Sequence, residues 1–100
     1  MGTIAARRAG DALTDVARIL AIEAMCVAQA VELRQREDDR PFSTAADALH
    51  AAVRHHSGFL DEDRPLSPDV EAIATDLLSG VLERRIGGQS SELRQALDTF

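Results

Sequence analysis

The sequence predicts an all-α chain, with one long helix followed by two or three shorter ones. Three observations carry that reading. The first third holds no proline and no β-branched run, and is built largely from alanine, leucine and arginine, which are strong helix formers. Apolar residues there recur every three or four positions, the period of a helical face rather than of a strand. Further along, proline, glycine and acid-led caps divide the remainder into pieces of helix length.

The first helix is expected from about Thr3 to Arg36, with only Gly10 interrupting it. Asp11 and Asp15 lie in its first half and Arg34 and Arg36 in its last turn, the polarity that the helix dipole favours. One apolar stripe runs Leu13, Val16, Leu20, Val27, Val31, and a second runs Ile19, Ile22, Cys26, Ala30, Leu33. Between Val16 and Leu33 the polar residues are Arg18, Glu23, Gln29 and Glu32. A helix that is apolar on nearly every side is expected to be covered on nearly every side. Glu23 and Gln29 should then meet hydrogen-bond partners on neighbouring helices, because an unmet buried polar group costs about 1–3 kcal/mol.

Glu37-Asp38-Asp39-Arg40-Pro41 closes this helix, since the residue before a proline leaves the helical region. Ser43 or Thr44 caps a second helix, about 44–57, with Asp47 in its first turn and Gly58 at its end. An irregular stretch to Pro68 follows, in which Arg64 offers a countercharge to Asp61, Glu62 and Asp63. Ser67-Pro68-Asp69 opens a third helix, about 68–80, as a capping serine, a proline at the first position and an acid in the first turn. Its stripe is Val70, Ile73, Ala74, Leu77, Leu78 and Val81; Gly80 loosens it and Gly87-Gly88 stops it. A short fourth helix is expected at about 91–98. The whole, residues 1–100, reads as a single segment.

The length of the first helix poses a geometric problem. About 34 residues span roughly 50 Å, whereas a compact chain of this size has a radius of gyration near 13 Å and a diameter of roughly 33 Å. Either the helix bends back on itself at Gly10, or other chains cover its stripes. Coverage by other chains is the expectation here.

Charge and composition exclude several functions. The net charge is −6, with 17 acidic and 11 basic residues, and aromatic residues make up 3% of the chain. An acidic surface without stacking platforms argues against nucleic acid as a partner. No stretch is long and apolar enough to suggest a membrane span, and the first thirty residues lack a signal-peptide pattern because Arg7, Arg8, Asp11, Asp15 and Arg18 interrupt them. A cytoplasmic protein is expected. The single cysteine, Cys26, sits in the most apolar part of the first helix, where a thiol is expected to be inert packing. His50, His55 and His56 do not fall one or two helical turns apart in a ligating arrangement, so exposed or interface histidines are expected rather than metal ligands. Arg84-Arg85 is expected on a solvated helix face. No catalytic, cofactor-binding or metal-ligating residue is expected in this chain.

Several segments together resemble the carboxy-terminal part of the aromatic amino acid ammonia-lyase and aminomutase family. Met1-Gly2-Thr3-Ile4-Ala5-Ala6-Arg7 resembles an internal Ser-Met-Gly-Thr-x-Ala-Ala-Arg segment of that family. Leu20-Ala21-Ile22-Glu23 and Gln29-Ala30-Val31-Glu32-Leu33-Arg34 resemble its Leu-Ala-Ile-Glu and Gln-Ala-x-Asp-Leu-Arg stretches on one long helix. Ala51-Ala52-Val53-Arg54, Phe59 to Leu66 and Pro68-Asp69-Val70 resemble its final helical region. The likeness runs in order from Met1 to about Gly80; the second helix and the last twenty residues match more loosely.

The family makes a 4-methylideneimidazole-5-one cofactor from an internal Ala-Ser-Gly and uses a catalytic tyrosine, and this chain contains neither that tripeptide nor any tyrosine. The resemblance therefore implies a member cut after its catalytic region. It further implies that residues from Thr3 to Arg36 form one helix of a central bundle within a larger helical assembly, with their amino end near an active site. The function expected is that of a non-catalytic small subunit of a split ammonia-lyase-like enzyme. A large catalytic subunit would be its partner in a hetero-oligomer and would carry the 4-methylideneimidazole-5-one. Subunit-interface residues expected are Leu13, Val16, Ile19, Leu20, Ile22, Glu23, Cys26, Val27, Gln29, Val31 and Leu33. The alternatives are a free-standing homo-oligomeric helical module without activity, or a fragment with no independent function.

Overall fold

The computed structural model describes residues 2–38, 40 and 42–89. It contains four helices, α1 (Gly2–Glu37), α2 (Thr44–Arg54), α3 (Ser67–Ser79) and α4 (Val81–Gln89), with no strand among the described residues. The all-α class is as the composition and periodicity predict. The helix expected at 91–98 lies outside the described residues.

α1 is an unbroken helix of 36 residues, which at 1.5 Å per residue is about 54 Å long. The longest dimension of the chain is 55 Å and its radius of gyration 15.5 Å. The helix therefore does not fold back at Gly10, and the rest of the chain is built along one side of it. α2 and α3 both pack on α1, and α4 closes on α2 and α3. The core is the meeting of Ala17, Ala21 and Ala28 from α1 with Val53 of α2 and with Ile73 and Ala74 of α3. Alanine at four-, seven- and eleven-residue spacings keeps the near side of α1 smooth, so that two helices can approach it closely.

Ser43 caps α2 as expected, its hydroxyl accepting from the Ala46 amide at 3.2 Å. Regular helix stops at Arg54, but the His55, His56 and Ser57 amides donate back to Ala51 and Val53 carbonyls, so the turn winds on to Ser57. α3 departs from expectation at its start. Leu66, not Ser67, is the N-cap; it offers no side-chain bond, and its carbonyl accepts from the Val70 amide at 2.9 Å. α3 ends at Gly80, whose φ of 80° lies in the left-handed region that costs a side-chain-bearing residue about 1–2 kcal/mol. That break lets α4 restart at once. Gly87 and Gly88, expected as a stop, fall inside α4; tertiary packing, with Leu82 buried, outweighs the helix cost of about 1 kcal/mol that each glycine carries.

Candidate functional site

The most unusual surface lies on the far side of α1. Leu13, Val16, Ile19, Leu20, Ile22, Val27 and Leu33 are 42–62% exposed, although aliphatic residues of this size are the ones most often buried. At 100° per residue, Leu13, Val16, Leu20 and Val27 form one exposed stripe, and Ile19, Ile22, Cys26 and Leu33 another. Between them lies Glu23, also exposed, with no hydrogen-bond or ion-pair partner among the described residues. Cys26 is free and exposed, so its expected place in packing is not filled by this chain. Val31 departs from the stripe to which its spacing assigned it: it is 6% exposed, because its position on the wheel turns it toward the alanine side.

Gln29 also behaves differently from expectation, since its partner is neither another chain nor another helix. Its side-chain amide donates to the Leu60 carbonyl at 2.9 Å and its carbonyl oxygen accepts from the Leu60 amide at 3.1 Å. This two-way clamp on the backbone of one residue fastens the segment between α2 and α3 onto α1. Two further contacts hold the same segment. The Arg36 guanidinium sits 3.8 Å over the Phe59 ring, a cation–π contact. Arg64 donates to the Gly58 carbonyl, Ser57 Oγ and Asp69 Oδ2 at 3.0, 3.3 and 3.1 Å. Arg64 thus serves Asp69 and not the neighbouring acids Asp61, Glu62 and Asp63 to which its sequence position pointed.

The strapped segment and α1 enclose an open groove of about 710 Å³. Ile22, Met25 and Leu33 line it from α1, and Leu60, Leu66 and Val70 from the opposite wall. Its charged lining is already paired inside the chain. Arg18 meets Glu71 at 2.7 Å, and Arg54 meets Glu32 at 3.3 Å and the Ser57 carbonyl at 3.0 Å. The groove therefore offers apolar contact, with no acid or base left free to move a proton. It opens beside Ile22, Cys26 and Leu33 and so continues the exposed face of α1.

The histidines correct a further expectation. His55 is exposed, but His50 and His56 are half-buried and work within the chain. His56 Nε2 lies 2.5 Å from Asp76 Oδ2, which Arg85 also approaches at 3.7 Å; Arg85 is thereby drawn off the solvated face expected for it. His50 Nε2 lies 3.6 Å from Glu32. A catalytic relay through His56 and Asp76 would need a hydroxyl facing the ring. The adjacent hydroxyl, Ser57 Oγ, instead donates to Asp69 at 2.8 Å. These contacts tie α2 to α1 and α3. Among the described residues no three His, Cys, Asp or Glu side chains gather as a metal site, and no helix is long and apolar enough to cross a membrane.

The described residues thus form an all-α chain whose longest helix packs its alanines and leaves its larger aliphatic residues exposed. The model of the aromatic amino acid lyase family matches residues 1–55, and the chain belongs to that family. It is 44% identical over 82 residues to a histidine ammonia-lyase of Symbiobacterium thermophilum, covering 82% of this chain and 16% of the relative. Against a tyrosine ammonia-lyase of Cereibacter sphaeroides it is 44% identical over 78 residues, covering 78% and 15%. An MIO-dependent tyrosine 2,3-aminomutase of Streptomyces globisporus is 38% identical over 90 residues, covering 90% and 16%. The chain thus spans about one-sixth of the length of these relatives. No solved structure matches it.

Proposed function

We propose that this chain is a non-catalytic small subunit of a split ammonia-lyase-like enzyme, supplying a helix of the central assembly to a separate large chain. The observation that carries the reading is the far side of α1. Seven aliphatic side chains there keep about half of their surface, and covering what remains exposed is worth roughly 1 kcal/mol each. Their sum approaches the entire folding stability of a domain this size, about 5–15 kcal/mol. Family membership supports the nature of the assembly, because the sequence lacks Ala-Ser-Gly and tyrosine and its groove holds no free acid or base. The residues here do not fit a 4-methylideneimidazole-5-one, which on this reading belongs to the large chain. The reaction of the complex is elimination of ammonia from an aromatic amino acid, or the 2,3-aminomutase variant of it. The reading places the complex in the cytoplasm, where an exposed unpaired thiol such as Cys26 stays reduced.

Native mass of this chain, expressed alone and beside a large chain carrying Ala-Ser-Gly, tests the proposal. Co-purification at a fixed ratio, with lyase or mutase activity in the complex and none in this chain alone, supports it. A stable homo-oligomer that ignores the large chain overturns it in favour of the free-standing module.

A further inference from the structure

We propose that the outer face of α1 is shaped for an unlike partner that presents an arginine or lysine to Glu23, and that Glu23 prevents two copies of this chain from pairing through that face. The inference rests on the subunit reading and deepens it by naming the chemistry of the covering surface.

The position of Glu23 carries the argument. Along the helix, Glu23 is ten residues from Leu13 and ten from Leu33, the ends of the densest run of exposed aliphatic residues, with Ile4 standing alone nine residues further toward the amino end. Around the helix it lies between the two stripes. Its neighbours one turn away are Ile19, Leu20, Cys26 and Val27, all apolar, so no cation of α1 is within a turn of it. The nearest arginine along the helix, Arg18, is committed to Glu71 and Asp15. A surface that covers the stripes must also cover this carboxylate, and a buried unpaired charge is strongly disfavoured.

A second copy cannot answer it. To overlap the whole Leu13–Leu33 run, two copies of α1 must share a centre, and the centre of that run is Glu23. Parallel in register or antiparallel, the two carboxylates then face each other, a like-charge contact that costs a complex heavily. The other arginines on this side of the helix are Arg8 and Arg34. Bringing either opposite Glu23 slides the helices by about 16 Å or more and runs Leu13 or Leu33 off the end of the partner helix. No register satisfies both the aliphatic side chains and the carboxylate. An unlike helix with apolar residues flanking one central basic side chain satisfies both, gaining an ion pair where a copy meets repulsion.

Two differently tagged copies of the full chain, co-expressed and examined by pull-down and sedimentation equilibrium, provide the test. Wild-type copies should not capture each other, and neither should Glu23→Arg copies. Glu23→Leu copies should self-associate about 100-fold more tightly than wild type, and wild type mixed with Glu23→Arg should form a one-to-one pair. Glu23 is exposed, with no hydrogen-bond or ion-pair partner among the described residues, so circular dichroism should be the same for every variant. Wild-type copies that pair as tightly as Glu23→Leu copies, or a mixed pair no tighter than either alone, would overturn the proposal. Co-expression with the large chain separates the two readings. Capture of wild type with a loss of 10-fold or more for Glu23→Arg supports both. Equal capture of wild type and Glu23→Arg sinks the role of Glu23 while leaving the subunit standing. No capture of wild type sinks the subunit, and with it the unlike partner.

Discussion

Compare the two sides of α1. Toward α2 and α3 it presents Ala17, Ala21 and Ala28, each at most 2% exposed, while away from them it presents eight larger aliphatic residues, Ile4 among them, at 42–62%. The side that this chain buries is the one with the least area to bury. Small residues contribute close approach and dense packing there, whereas the bulky residues hold their transfer energy in reserve. The difference separates two properties that most helices combine: the alanine side holds the fold of this chain, and on the proposed reading the aliphatic side meets its partner.

Substitutions should therefore sort by side. The largest effect is expected from Leu20→Asp on the outer face, which places a charge among Val16, Ile19 and Val27. Capture by the large chain should be lost, while circular dichroism of the chain alone is unchanged; retained complex and retained activity would contradict the division. Next comes Ile73→Ala, which empties a fully buried site facing the alanine side. It should cost about 2–5 kcal/mol, read as a lower midpoint of urea unfolding. Ala21→Leu makes the complementary change, adding bulk where only 1% of the surface is exposed, and should cost about 1–3 kcal/mol by overpacking. If α1 separated easily from α2 and α3, this variant would unfold no earlier than wild type. The smallest effect is expected from Gln29→Ala, which removes both bonds to the Leu60 backbone. A loss of about 1–2 kcal/mol should appear chiefly as faster hydrogen exchange at the Leu60 amide, with exchange in α3 little altered.

Much of this division was legible in the residues. The absence of proline and the three-four spacing defined α1 almost to the residue, and its length already exceeded the diameter of a compact chain of this size. What periodicity could not convey was which stripe faces inward. A reading that follows bulk assigns leucine and isoleucine to contacts and treats alanine as filler, so Ala17, Ala21 and Ala28 of the core were assigned to no stripe and Val31 was grouped with the wrong side. Contacts across long separations were equally out of reach: Gln29 meets Leu60 and His56 meets Asp76 through the way α2 and α3 return along α1, which no local spacing encodes. Gly87 and Gly88 misled for the opposite reason, since their local cost is real but smaller than the packing that holds α4.

The length of α1 has a thermodynamic consequence of its own. Every residue from Gly2 to Leu13 is exposed, so three turns of the helix extend past the body with nothing packed on any side. These turns rest on the hydrogen bonds of the helix alone, and short helical stretches without tertiary packing gain little stability in water. On the proposed reading, a partner that reaches as far as Ile4 would fix these turns as it docks. Association measured by calorimetry should show an unfavourable entropy and a heat-capacity change more negative than the covered stripes alone provide. Such an interface gives up affinity for selectivity, because only a surface long enough to reward the winding of those turns recovers what their ordering costs.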